Sequence, residues 1–353
     1  MFLQTLAFLG GLALLVLGGE ALVRGASALA SRLGLSPLVV GLTVVAWGTS
    51  APELAVSLSA AFRGQGDLAL GNVLGSNIVN VLVVLGVSAI AAPLVVSGRL
   101  VRLDVPILVV LSAAVWGFAL DGRIGRAEGA ALVVAAGLYT AFSVRVSRGE
   151  EAEGGGRPAA LGLAAAAGAL FLGLVLLTLG SDWLVWSATL FARSLGASEL
   201  VIGLTVVAVG TSLPEMAASV TAALRGEREL AVGNAIGSNI FNLTTVLGLT
   251  AAATREGVPV AGAALALDLP VMNAVALACL PVFFHLRVGR VAGVALVAAY
   301  AAYASYLALA PDPAALAAPE RTLVVFVGPL GLLVALAAWQ GVRGRRRPPA
   351  AAA

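Results

Sequence analysis

The chain has 353 residues, 60% of them hydrophobic and only 11% charged, with a mean hydropathy of +1.02. Soluble domains carry about 25% charged residues, and the long apolar runs lack the two-residue alternation of membrane-barrel strands, so both classes are excluded in favour of a polytopic α-helical membrane protein. The net charge of +3 and pI near 9.6 rest on 21 arginines without a lysine, and read as loop arginines at the membrane surface rather than as a nucleic-acid footprint.

Apolar runs bounded by Arg, Gly and Pro predict helices over about 2–33, 37–62, 67–92, 100–120, 124–147, 159–194, 198–224, 229–253, 262–285, 289–309 and 322–342. Each spans the roughly 30 Å of bilayer hydrocarbon that about 20 apolar residues cross. The first run has no basic n-region and continues far past a signal-peptide core, so it is expected to be the first membrane helix. It carries a lone acid, Glu20, which the sixth helix matches with Asp182. Both acids are expected at the interface or paired with a neighbouring helix, with gating as the second reading. Residues 148–158 (RGEEAEGGGRP) form the one soluble linker, expected in the cytoplasm, and divide the chain into a first half at 1–147 and a second at 159–309. Residues 310–353 are left for an extra helix and the tail with Arg343, Arg345, Arg346 and Arg347. With the N-terminus outside, 15 of the 21 arginines fall on the cytoplasmic side, so the C-terminus is also expected inside. The single Cys279 permits no intramolecular disulfide.

The two halves share a repeat. Gly48-Thr49-Ser50-Ala51-Pro52-Glu53 returns 162 residues later as Gly210-Thr211-Ser212-Leu213-Pro214-Glu215, and Gly75-Ser76-Asn77-Ile78 returns as Gly237-Ser238-Asn239-Ile240. Aligned without a gap, 41–86 and 203–248 are identical at 29 of 46 positions. Five spans separate equivalent points, so the second copy is inverted in the membrane. The fold expected is therefore an all-α, inverted-topology repeat of two five-helix halves, a ten-helix core with one extra C-terminal helix; such repeats place binding sites at broken helices near the bilayer midplane.

Pro52 lacks the N–H that would bond Gly48, so the helix should break there and free carbonyls near Ala46, Gly48 and Thr49. Thr49, Ser50 and Glu53 share a face at i, i+4 and i, i+3 spacing. Ser76 and Asn80 are again i, i+4, and Gly71 and Gly75 allow close helix approach. The second copy supplies Ala208, Thr211, Ser212, Glu215, Ser238 and Asn242. Asn72, Asn77, Asn234 and Asn239 are assigned mainly to packing and to broken backbone. A carboxylate at the membrane centre costs about 2.5–3.5 kcal/mol on insertion scales, so a functional role is the default for Glu53 and Glu215. The donors are all oxygen, with no His or Cys among them, which suits Na⁺ and Ca²⁺ rather than zinc or copper.

These paired motifs resemble the two α-repeats, at 37–86 and 199–248, of the Ca²⁺/cation antiporter superfamily, in particular its prokaryotic sodium/calcium exchanger branch. The resemblance covers about residues 1–310. It implies four cation positions around the two glutamates and alternating access by sliding of the first and sixth helices. By motif position it also implies metal ligation by Glu53, Glu215, Thr49, Thr211, Ser50, Ser212, Ser76, Ser238 and Asn80, with the carbonyls of Ala46 and Ala208. Asn242 stands where such exchangers often have Asp; relatives with Asp there couple to K⁺, so K⁺ independence is expected. The function expected is Na⁺/Ca²⁺ antiport in the plasma membrane at 3:1, electrogenic because three Na⁺ on two carboxylates leave one positive charge. Ca²⁺ and Na⁺ are cargo; no cofactor, nucleic acid or partner protein is expected, and the chain is read as a monomer in lipid. An H⁺/Ca²⁺ exchanger is the nearest alternative, ahead of a cation channel. An intramembrane enzyme is disfavoured because the only histidine, His285, lies near a helix end and no HExxH, Gly-x-Ser-x-Gly or P-loop occurs.

Overall fold

The computed structural model describes residues 2–151, 161–194 and 208–309. Most of the expected linker, the start of the seventh helix, and the expected eleventh helix with its basic tail lie outside these residues. Helices α1 (Phe2–Leu33), α2 (Pro37–Thr49), α3 (Ala51–Phe62), α4 (Gly66–Ala91), α5 (Leu100–Asp121) and α6 (Arg126–Glu151) form the first half. The second half contains α7 (Leu163–Ser194), a helical turn at Ala208–Gly210, α8 (Leu213–Leu224), α9 (Arg228–Ala253), α10 (Ala264–Phe283) and α11 (Arg290–Leu309). Among the described residues eight helices are long and apolar enough to cross a membrane, nine if the α2–α3 pair counts as one bent span.

The repeat extends to the element boundaries. α3 and α8, and α4 and α9, begin and end at positions 162 apart. The α5/α10 and α6/α11 pairs start 164 apart, because the second copy has two more residues between α9 and the next strand. Two short antiparallel ribbons tie the halves together. β1 (Leu94–Val95) pairs with β4 (Arg287–Val288), and β2 (Arg123–Ile124) pairs with β3 (Val258–Pro259). Each joins one half to the other, as an inverted repeat requires. Neither ribbon was expected from the sequence, where Ile124 reads as the start of a helix; two-residue strands leave no periodicity. Gly257 turns into β3 at φ +77°, and a Cβ there would lie 2.3 Å from the Ile124 carbonyl, so no side chain fits at that ribbon.

α1 and α7 run antiparallel along one side. Their contact is a seam of small residues seven apart: Gly11, Gly18 and Gly25 on α1 meet Gly180, Gly173 and Ala166 on α7. With no hydrophobic force between helices in lipid, close backbone approach of this kind supplies the packing. α9 lies against α2 in the same way. A Cβ at Gly233 or Gly237 would sit 2.6 Å from the carbonyls of Leu38 or Leu42. Gly71 and Gly75 meet no described residue within 4 Å, so the close approach expected for them is not seen among the described residues.

Candidate cation site

Pro52 and Pro214 break their helices where the sequence predicts. α2 ends at Thr49, α3 begins at Ala51, and the two are bent by 41°. Ser50 (φ −82°, ψ 3°) and Ser212 (φ −89°, ψ 8°) adopt the same conformation between helix and turn. Each break puts a glutamate, Glu53 or Glu215, in the first turn of the new helix. There the unsatisfied N–H groups favour negative charge. The carbonyl of Ala46 is not set free as expected: it accepts the Ser50 N–H at 3.0 Å, and the Thr49 hydroxyl lies 3.4 Å away. The proline ring cancels only the bond that its own missing N–H would have made, four residues back at Gly48.

Both breaks are held by an asparagine on the next helix. Asn72 Nδ2 donates to the Glu53 carbonyl (3.2 Å) and to Ser57 Oγ (2.9 Å). Asn234 Nδ2 repeats this with the Glu215 carbonyl (3.2 Å) and Ser219 Oγ (2.9 Å). The backbone role expected for Asn72 and Asn234 is thus the one the structure has. Asn77 donates to the Val73 carbonyl, and Asn239 donates across the repeats to the Asn77 carbonyl. Replacing Asn234 with Ala strands the first turn of α8; a loss of about 1–3 kcal/mol is expected for the buried groups left unpaired, read as a lower unfolding temperature in detergent.

The two half-sites meet. Thr49 Oγ1 donates to Asn234 Oδ1 (3.2 Å) and lies 3.4 Å from Ser238 Oγ. Ser50 Oγ donates to Glu215 Oε1 (3.4 Å), and the hydroxyls of Thr49 and Ser238 also face that carboxylate. Glu53 and Glu215 are both 0% exposed and close enough to feel each other's charge. Asn80 and Asn242 each open a π-helical stretch, Asn80–Val84 and Asn242–Val246. Such insertions frequently mark functional sites because the wide turn redirects side chains. The turn at Asn80 packs on α8 and the turn at Asn242 packs on α3, so each asparagine lies on a turn against the glutamate-bearing helix of the other half.

What most distinguishes this region is the number of buried polar atoms without a partner. Both carboxylate oxygens of Glu53, Oε2 of Glu215, the hydroxyls of Ser76, Thr211 and Ser212, and the whole amides of Asn80 and Asn242 make no hydrogen bond among the described residues. An ionised carboxylate buried without compensation is strongly destabilised. A set of oxygens in this condition is matched to a hard cation held by oxygen donors. Of the expected ligands, Thr49, Ser50, Ser238 and Glu215 are in mutual contact; Glu53, Ser76, Ser212, Asn80 and Asn242 are buried and unbonded; Thr211 is half-buried. Ala208 opens the turn before α8, and its side chain lies outside what is described.

Two further acids, Asp104 (buried) and Asp268 (half-buried), were missed in the sequence. Tyr139 donates to Asp104 Oδ1 (3.0 Å) and Tyr303 to Asp268 Oδ1 (2.8 Å), at equivalent positions of the repeat. Their signal was available: an Asp–Tyr spacing of 35 that recurs 164 residues on. The lone acid Glu20 is satisfied by two arginines, Arg24 (2.5 Å) and Arg225.

Inverted halves closing on a buried cluster of side-chain oxygens are the arrangement of a membrane transporter of cations. The relationship to known proteins is of the same kind. The family model described as "Sodium/calcium exchanger protein" matches residues 3–145 and 165–309, and the chain belongs to that family. The inner membrane protein YrbG of Escherichia coli (strain K12) is 35% identical over 271 residues, covering 72% of this chain and 81% of that protein. The putative antiporter CaxA of Alkalimonas amylolytica is 39% identical over 307 residues, 83% of this chain and 95% of that one. Among solved structures, the sodium-calcium exchanger NCX_Mj soaked with zero Na⁺ and Ca²⁺ matches with a TM-score of 0.75 and 28% identity, over 87% of this chain and 99% of that chain. The resemblance read from the paired motifs is borne out, as are the mostly helical inverted-repeat fold and the membrane antiporter class.

Proposed function

We propose that this chain exchanges Na⁺ for Ca²⁺ across the inner (plasma) membrane by alternating access, at 3:1 and without K⁺, with its N-terminus outside and its C-terminus inside. The observation that carries the reading is the pair of fully buried carboxylates, Glu53 and Glu215, whose oxygens are largely unpaired within a ring of hydroxyl and amide oxygens. Glu53 and Glu215 supply the charge. Thr49, Thr211, Ser50, Ser212, Ser76, Ser238, Asn80 and Asn242, with the carbonyls of Ala46 and Ala208, complete the oxygen shells. The likeness to NCX_Mj, a sodium-calcium exchanger, supports the same pair of ions.

With Asn rather than Asp at 242, the pocket holds two negative charges. One Ca²⁺ balances them, whereas three Na⁺ leave an excess of one. Each cycle then moves one elementary charge, worth about 2.3 kcal/mol per 100 mV, so an imposed potential of 100 mV should shift the equilibrium Ca²⁺ ratio about 50-fold. The test is ⁴⁵Ca²⁺ uptake into proteoliposomes. A Na⁺ gradient should drive it, a pH gradient alone should not, external K⁺ should be neutral, and uptake indifferent to potential would overturn the stoichiometry. Uptake driven by protons in the absence of Na⁺ would replace this reading with H⁺/Ca²⁺ exchange.

A further inference from the structure

The repeat makes every contact in one half a template for the other, so a contact made only once reports the state of the molecule. α1 lies along α8: Gly19 faces Ala217 and Thr221, and one turn on Glu20 pairs with Arg225 at the end of α8. A shift of 162 residues turns this set into Ser181 facing Ala55 and Ser59, with Asp182 toward Arg63 at the end of α3. That second set is not assembled. α7 does not lie along α3, Ala55, Ser59 and Arg63 are exposed, and Asp182 makes no hydrogen bond or ion pair among the described residues. The Ser181 hydroxyl instead donates to the Gly210 carbonyl at 2.7 Å. Four charged residues on the moving helices and the broken helices thus occupy two equivalent pairs, one joined and one apart.

We propose that Glu20–Arg225 and Asp182–Arg63 are positioning ion pairs that form in alternation. The first holds α1 on α8 and closes the face carrying Arg225, as seen here. The second holds α7 on α3 and closes the face carrying Arg63 after the α1–α7 pair has slid across. The inference rests on the alternating-access reading above. It adds the groups that fix the two end states, none of which touches the cation cage. An acid on α1 or α7 is kept inside an apolar helix because it has an arginine to reach at one end of the stroke. Glu20 is 25% exposed and Arg225 50% exposed, so the pair biases a population rather than bolting it.

The test uses single cysteines at the equivalent positions Ser59 and Thr221, on a Cys279→Ser background, in purified protein in nanodiscs with both faces open to a water-soluble maleimide. Ser59→Cys should label readily and Thr221→Cys slowly. Adding Glu20→Gln or Arg225→Gln should raise the Thr221→Cys rate about three- to fivefold, the population shift expected for a partly exposed ion pair. Arg225→Lys, which keeps the charge, should hold the slow rate. Asp182→Asn should leave Thr221→Cys slow or slower, since it weakens only the opposite state. If Glu20→Gln and Arg225→Gln both leave the Thr221→Cys rate unchanged while Na⁺ or Ca²⁺ alters labelling of Thr221→Cys with Glu20 and Arg225 intact, the locks are wrong and alternating access stands. If neither ions nor substitutions change either rate, alternating access itself fails.

Discussion

Glu53→Gln and Glu215→Gln each reduce Na⁺-driven ⁴⁵Ca²⁺ uptake at least about 100-fold, while the purified protein keeps its monodispersity. The expected size follows from charge. Removing one partner from a buried charge pair costs about 3–5 kcal/mol, and a divalent ion facing a single carboxylate is in that position. Glutamine keeps the shape and the first-turn placement at the head of α3 or α8. It also removes a buried charge that has little compensation within the protein itself, so folding should be unharmed. The two substitutions are not identical in surroundings: Glu215 accepts from Ser50, whereas neither Glu53 oxygen has a partner among the described residues. Glu53→Gln should therefore be the milder of the two for stability and equally severe for transport. Full exchange in either variant would falsify the assignment of that carboxylate as a central ligand.

Gly173→Leu abolishes transport and destabilises the protein by about 3 kcal/mol or more, the upper range for forced overpacking. A Cβ at Gly173 would lie 2.5 Å from the Leu22 nitrogen and 2.7 Å from its Cα. These are backbone atoms of a continuous helix and cannot swing aside, so α1 and α7 must separate along the whole seam. Gly168→Leu is the control on the same helix, because nothing lies within 4 Å of its Cβ position and the residue is exposed. It should leave both transport and unfolding temperature unchanged. Retained transport in Gly173→Leu would show that the seam tolerates a wider spacing than the structure has.

The site was unusually legible in the sequence because its chemistry is out of place there. Glutamate after proline in an apolar run is expensive, and the same expense met twice at one spacing has no packing explanation. The break at Ser50, the match at Ser212 and the burial of Asn80 and Asn242 all followed from residue type and position. Other features left no local trace. The Ala46 carbonyl is engaged rather than free, since a proline deletes one bond in a helix and leaves the neighbouring ones intact. The inter-half ribbons are two residues long, and the Asp104–Tyr139 and Asp268–Tyr303 bonds show only as a distant spacing of 35 that recurs in the second half.

By itself, the sequence determined the membrane class, the inverted repeat, the helix breaks and the oxygen-only donor set, because each follows from covalent properties: apolar length, odd span number, a missing N–H, side-chain chemistry. Only the tertiary structure decided how the polar side chains of the two halves meet and which of two equivalent contacts is made. Thr49 and Ser50 serve Asn234 and Glu215 of the opposite half, and Glu20 has reached Arg225 while Asp182 and Arg63 remain apart. The acid and the arginine recur at the same offset in both halves, although Arg24, which also pairs with Glu20, is matched by Trp186 in the second. On the alternating-access reading proposed above, the two pseudo-symmetric faces close one at a time; the structure shows α1 packed along α8 and α7 not packed along α3.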